Sequence, residues 1–137
     1  MHSIRLRGPW DVYFPGDEQP RRMEMPATWQ TLLALAAATP LPTSARLVRR
    51  FGLPTGIAPA DRLQLVIETC ASTIQVELNG QSLGSIAASQ QSSSFDVTAL
   101  LAARNELVVI LEIPRSESEQ PPSSCPVSDV RLEIGHG

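Results

Sequence analysis

The chain has 137 residues, of which 42% are hydrophobic and 18% charged, and its formal net charge at pH 7 is −3. This length is sufficient for a domain that buries a core without metals or disulfides, and we expect residues 1–137 to form a single domain. The acidic balance gives no reason to expect a nucleic-acid partner. Neither a signal peptide nor a membrane span is visible in the sequence, so we expect a cytoplasmic protein without membrane contact.

The N-terminal third of the chain predicts short strands and one helix. Residues 4–14 are typical of a first strand with an early kink at Gly8-Pro9. Residues 21–25 predict a second strand, which ends at Pro26 because proline lacks the amide donor that a central sheet ladder needs. Thr28 is suited to cap the N-terminus of a brief helix rich in leucine and alanine.

The middle of the chain predicts antiparallel strands. A strand over residues 45–51 is followed by alternating apolar positions in residues 63–67 and again in residues 74–78. The second alternation runs into Asn79-Gly80, the dipeptide best suited to the positive φ angles of a two-residue hairpin turn. Ser92, Ser93 and Ser94 lack a nearby base, and we interpret them as a flexible loop and not as a nucleophile.

The C-terminal part completes an all-β pattern. Residues 95–98 open a short helical turn, and residues 106–113 are apolar on both faces, which predicts a central strand. A loop over residues 116–126 precedes a last alternating strand, residues 130–134. Many short strands separated by turn signals indicate an antiparallel two-sheet sandwich with one or two short helical segments.

Several sequence blocks in a fixed order carry a family resemblance. They are Gly8 with Trp10, residues 25–30 (MPATWQ), residues 50–54 (RFGLP), residues 76–84 (VELNGQSLG) and residues 95–109 (FDVTALLAARNELVV). With these blocks the chain resembles the N-terminal sugar-binding domain of glycoside hydrolase family 2, from about Leu6 to Ile134. The resemblance implies a galactose-binding-domain-like jelly-roll sandwich that serves as a non-catalytic carbohydrate-binding or accessory domain.

The departures from the family pattern are informative. In β-galactosidases that share this domain, an Asn beside the motif tryptophan and an Asp in the loop before the F-D block reach into the active site of the neighbouring barrel. The corresponding positions here are Thr28 and roughly Ala88. The resemblance therefore implies a domain without those substrate-touching groups, which works beside a catalytic barrel or has become a stand-alone interaction or scaffolding sandwich.

Catalysis by this chain alone has little chemical support. Glycoside hydrolysis usually needs two carboxylates that face each other across a sugar. Glu68, Glu77, Glu112 and Glu133 alternate with apolar residues on predicted strands, as solvent-facing positions do. His2 and His136 lie at the termini, so no imidazole is available for a triad or a metal ligand set within the chain. We expect neither catalytic residues nor a metal site.

Sugar-binding modules usually combine an exposed aromatic platform with a few fixed polar groups. Core packing is the favoured interpretation of Trp10 and Phe95. The candidate ligand-binding residues are therefore Trp29 and Tyr13, with Gln30 and Arg22 as hydrogen-bonding neighbours.

Other ligand and partner classes stay open at this level. Asp96 and Asn79 are more typical of turn and capping positions than of ligands. A structural calcium ion held near Asp61 and Asp96 is an unsupported option, and we expect no cofactor. Cys70 and Cys125 are best interpreted as free thiols. Carbohydrate is the expected ligand, with a protein partner or a homo-oligomer as the alternatives.

Overall fold

The computed structural model describes residues 2–36, 42–69, 73–87, 92–113 and 125–135. These residues form ten strands in two sheets and one short helix. The strands are β1 (His2–Arg5), β2 (Trp10–Tyr13), β3 (Arg21–Met23), β4 (Ser44–Gly52), β5 (Arg62–Thr69), β6 (Ile74–Leu78), β7 (Gln81–Ile86), β8 (Ser92–Asp96), β9 (Arg104–Glu112) and β10 (Val127–Gly135), and the helix is α1 (Trp29–Ala36). All strand pairs are antiparallel, so the predicted all-β sandwich is confirmed.

The strand order places the core between a small and a large sheet. The four-stranded sheet has the order β1-β10-β5-β8, and the six-stranded sheet has the order β3-β2-β4-β9-β6-β7. One face of each sheet supplies the core, including Leu65 from the small sheet and Leu107 from the large one. The prediction that the strand around Val108 is central is confirmed, because β9 lies between β4 and β6 and Val108 is buried although it points away from Leu107.

The predicted first strand over residues 4–14 is wrong as a continuous element. The chain breaks at Gly8-Pro9, so that β1 joins the four-stranded sheet while β2 joins the six-stranded sheet. A Cβ atom at Gly8 would lie 2.9 Å from the Cα atom of Glu24, so only glycine permits this close approach of backbones. The indole of Trp10, which is buried in the core as predicted, donates to the carbonyl of Leu6 at 2.9 Å across the break.

The serine-rich segment before Phe95 is also different from its prediction. Ser92, Ser93 and Ser94 belong to strand β8, which pairs with β5 through Ser93 opposite Ile67. Weak apolar alternation hides this strand in the sequence, since it lies at the sheet edge and its outward positions are small and polar. The predicted loop over residues 116–126 and the thiol of Cys70 lie largely outside the described residues.

The turn and cap predictions are confirmed. Asn79 and Gly80 have φ angles of 53° and 83° in the turn that joins β6 to β7. Helix α1 begins after Thr28, whose Oγ1 accepts a hydrogen bond from the amide of Thr31 at 3.2 Å. At its other end, the guanidinium of Arg21 donates to the carbonyl of Ala36 at 3.0 Å, where the helix leaves carbonyls without intrahelical partners.

Candidate functional site

A row of charged side chains crosses the outer face of the six-stranded sheet. The register places Arg22 opposite Asp11 and Arg50 opposite Glu106, on strands that alternate inward and outward. Arg22 lies 3.9 Å from Asp11, Arg50 lies 3.2 Å from Asp11, and Arg50 lies 3.1 Å from Glu106. This face therefore presents connected ion pairs to the solvent. Because exposed pairs of this kind contribute little to stability, the row is available for other interactions.

Tyr13 lies on the same outer face. The guanidinium carbon of Arg46 stands 4.8 Å from the centre of the Tyr13 ring, within the range of a cation–π contact. The neighbouring Glu106 carboxylate is the largest influence that raises the pKa of Arg50, followed by Asp11 and by Tyr13, which also hydrogen-bonds with Arg50. The aromatic ring and the charged row thus form one continuous surface.

The row ends in an open depression where β4 ends and β9 begins. Its volume is about 570 Å³, within the range of about 300–1,000 Å³ that small-molecule sites occupy. Both apolar and charged groups line it: Arg50, Phe51, Gly52, Asn79, Ala103, Arg104, Asn105 and Glu106. We call this feature the β4–β9 depression.

Two asparagines hold the walls of the β4–β9 depression. The buried Asn105 amide oxygen accepts hydrogen bonds from the amide of Ala102 at 2.9 Å and from the side-chain nitrogen of Asn79 at 3.0 Å. The Asn105 side-chain nitrogen donates to the carbonyls of Ala102 at 2.9 Å and Phe51 at 3.4 Å. Asn79 in turn accepts a hydrogen bond from the amide of Glu106 at 2.8 Å. These contacts fix three backbone segments, so the depression is pre-formed.

The open floor of the depression follows from one glycine. Gly52 lies opposite Arg104 in the β4–β9 register, so the two residues face the same side of the sheet. Because Gly52 has no side chain, the cross-strand position beside Arg104 is vacant. A Cβ atom at Gly52 would meet only the carbonyl oxygen of Ala103, at 3.8 Å.

The four predicted ligand-binding residues fall into two separate groups. Tyr13 and Arg22 lie on the outer face of the six-stranded sheet, both next to Asp11. Trp29 and Gln30 lie at the start of helix α1, where Gln30 is exposed and Trp29 is 2% exposed within the core. An aromatic platform requires an exposed ring face, which Trp29 does not offer.

The loop that contains the motif tryptophan lacks a cavity of useful size. A crevice between Met25, Pro26 and the start of β10 has a volume of about 10 Å³, enough for no more than about one water molecule. The concave site that this loop was predicted to contribute to is therefore not present in the described residues, and the larger depression lies elsewhere.

Arg50, Arg104 and Glu106 were not predicted as site residues. Their signal in the sequence is weak, because a charged residue at the end of a strand is typical of any solvent-facing position. Only the register between β4 and β9 brings them together around Gly52.

The remaining acidic residues have structural partners. Glu68 and Glu133 were predicted to face the solvent, and both form ion pairs with Arg131 at 3.0 Å. Asp61 accepts a hydrogen bond from the amide of Ala58 at 2.8 Å, and Asp96 accepts one from the amide of Thr98 at 3.0 Å. Among the described residues, no group of three or more histidine, cysteine, aspartate or glutamate side chains could hold a metal ion.

No family model and no curated protein matches the sequence. Solved structures do match the fold. A β-glucuronidase from Bifidobacterium dentium, in complex with coumarin-3-O-glucuronide, matches 97% of this chain and 29% of its own, with a TM-score of 0.68 and 20% identity. A β-glucuronidase from an uncultured Clostridium species matches 97% of this chain and 28% of its own, with a TM-score of 0.73 and 15% identity. A β-D-mannosidase from Dictyoglomus thermophilum matches 99% of this chain and 23% of its own, with a TM-score of 0.72 and 16% identity.

These matches confirm the fold that the family resemblance implies. The chain has the fold of one domain of glycoside hydrolases, and it spans less than a third of the length of the enzymes that it matches. The described residues contain no helix with the length and apolar character needed to cross a membrane.

Proposed function

We propose that this chain is a non-catalytic carbohydrate-binding domain that acts together with a glycoside hydrolase, with the β4–β9 depression as its sugar site. The observation that carries the proposal is this pre-formed depression. It combines the ring of Phe51 with donors from Arg50 and Arg104 and an acceptor from Glu106. Sugars present apolar C–H faces and hydroxyl groups, and this set of groups complements both.

Binding to a glycan array tests the proposal, with a variant that fills the depression. Gly52→Val adds a side chain beside Arg104 in a strand position with open space, so the fold is retained while the sugar loses its room. We expect at least a tenfold loss of binding. Gly135→Val is the matched control, because Gly135 lies opposite Arg62 at a strand end of the other sheet with similar open space. A well-folded chain that binds no glycan contradicts the proposal.

The second candidate is an interaction or scaffolding sandwich that has lost sugar binding. The scarcity of exposed aromatic rings favours it, because Trp10 and Trp29 are buried and Phe51 and Tyr13 are half-buried. This candidate predicts a protein partner or a homo-oligomer, which light scattering and affinity capture detect. A monomer that binds glycans excludes it.

A further inference from the structure

The charge pattern of the β4–β9 depression points to the chemical class of its ligand. This inference rests on the proposed carbohydrate-binding function and makes it more specific. Two arginines and one glutamate line the depression, so its lining has a net charge of +1, whereas the whole chain has a net charge of −3.

The two arginines differ in their partners. Arg50 binds the carboxylates of both Glu106 and Asp11, at 3.1 Å and 3.2 Å, so its charge is compensated. Arg104 has no ion pair or side-chain hydrogen bond with the described residues, and the residue opposite it is Gly52. A guanidinium binds a carboxylate through two parallel hydrogen bonds. Arg104 therefore offers an unused anion-binding group beside a vacant position.

Glu106 excludes a simple anion as the best ligand. It lies two residues from Arg104 on the same face of β9, about 7 Å along the strand. Its carboxylate repels an anion but accepts hydrogen bonds from hydroxyl groups. A ligand that carries both a carboxylate and hydroxyl groups, on a ring that spans the two residues, complements the pair.

We propose that the β4–β9 depression binds an acidic saccharide, with the uronate carboxylate on Arg104 and ring hydroxyl groups on Glu106. Phe51 and the vacancy at Gly52 then receive the ring itself. The asparagine pair keeps these groups in place, which limits the entropy lost on binding.

The test compares methyl glycosides that differ only in the oxidation of carbon 6. The full chain is titrated with methyl β-D-glucuronide and methyl β-D-galacturonide, and with methyl β-D-glucoside and methyl β-D-galactoside, while backbone amide shifts are followed by NMR. We expect at least one uronide to bind with a Kd about tenfold lower than its neutral counterpart. The largest shifts are expected at Gly52, Arg104 and Glu106.

Two variants locate the effect. Arg104→Gln should remove the preference for the uronide and leave the Kd of the neutral glycoside within about twofold. Arg62→Gln is the matched control, because Arg62 also begins a strand opposite a glycine but lies outside the depression. Circular dichroism of both variants checks that the fold is retained.

Each remaining outcome overturns a defined part. Equal binding of uronide and neutral glycoside overturns this inference and leaves the proposed function intact. Acetate that binds as tightly as the uronide, or a preference that survives Arg104→Gln, also overturns it. If neither the monosaccharides nor a glycan array shows binding, the proposed function fails together with this inference.

Discussion

The outer faces of the two sheets use arginine in different ways. On the four-stranded sheet, Arg131 binds three carboxylates, those of Asp129 at 2.7 Å and of Glu68 and Glu133 at 3.0 Å, and its side chain is 21% exposed. On the six-stranded sheet, Arg50 binds only two carboxylates, and its side chain is 61% exposed. The same residue type is enclosed on one face and open on the other.

The difference separates a structural role from a binding role. The hydrogen bonds from Asp129, and next those from Glu133, raise the pKa of Arg131, which indicates a group held by its own fold. Val66 lies opposite Arg131 in the strand register and is buried, although it points outward. On the other face, the row of ion pairs ends at Arg104, which is uncompensated beside the depression. A charged surface is therefore best assigned to binding where its pairing is incomplete.

The largest effect that sharpens this comparison is expected from the support of the depression. Asn105→Ala removes four hydrogen bonds and leaves a backbone amide and carbonyls without their partners in a position that is 3% exposed. We expect the free energy of unfolding to fall by about 2–3 kcal/mol. Urea denaturation measures this change.

A control variant makes the Asn105 result specific. Gln75 is exposed on β6 and lies on the outward-facing side of its strand, so Gln75→Ala should change the free energy of unfolding by less than about 0.5 kcal/mol. If Asn105→Ala has an equally small effect, the asparagine pair does not organise the depression.

The next effect compares the two arginines directly. Arg131→Gln leaves three carboxylates close together without their cation, and we expect a loss of about 2 kcal/mol in the free energy of unfolding. Arg50→Gln, the matched variant on the open face, should cost about 0.5 kcal/mol because exposed ion pairs are weak. Thermal and urea unfolding of both variants measure the contrast. Equal losses would remove the distinction between an enclosed and an open face.

The elements that local chemistry determines were predictable from the sequence. Asn79-Gly80 specifies its turn because few residues adopt positive φ angles, and Thr28 specifies a helix start because its hydroxyl satisfies a free amide. The break at Gly8-Pro9 was not predicted correctly, because the close approach of Glu24 depends on a contact between distant segments. Strand β8 was missed for a similar reason, since its pairing with β5 and not its composition makes it a strand.

The candidate site was predictable only in part. Tyr13 and Arg22 were selected from residue type, and the structure places both on the outer face of the six-stranded sheet, but their role as ligand-binding residues stays a prediction. The β4–β9 depression depends on the register that sets Gly52 opposite Arg104, and no local pattern encodes that register.

The smallest effect concerns Asp96, which the sequence assigned to a turn and not to a ligand site. Its carboxylate accepts hydrogen bonds from the hydroxyl of Thr98 at 2.7 Å and from the amide of Thr98 at 3.0 Å, and these bonds lower the pKa of Asp96. A carboxyl group with a lowered pKa in the folded state stabilises the protein above its unfolded pKa of about 3.9, and this contribution disappears as the pH falls below that value. Asp96→Ala should therefore be less stable than the unmodified chain at pH 7, and the difference should shrink towards pH 3. Thermal unfolding at both pH values measures it, and a difference that is constant with pH would show that the ionised carboxylate is not what stabilises the turn.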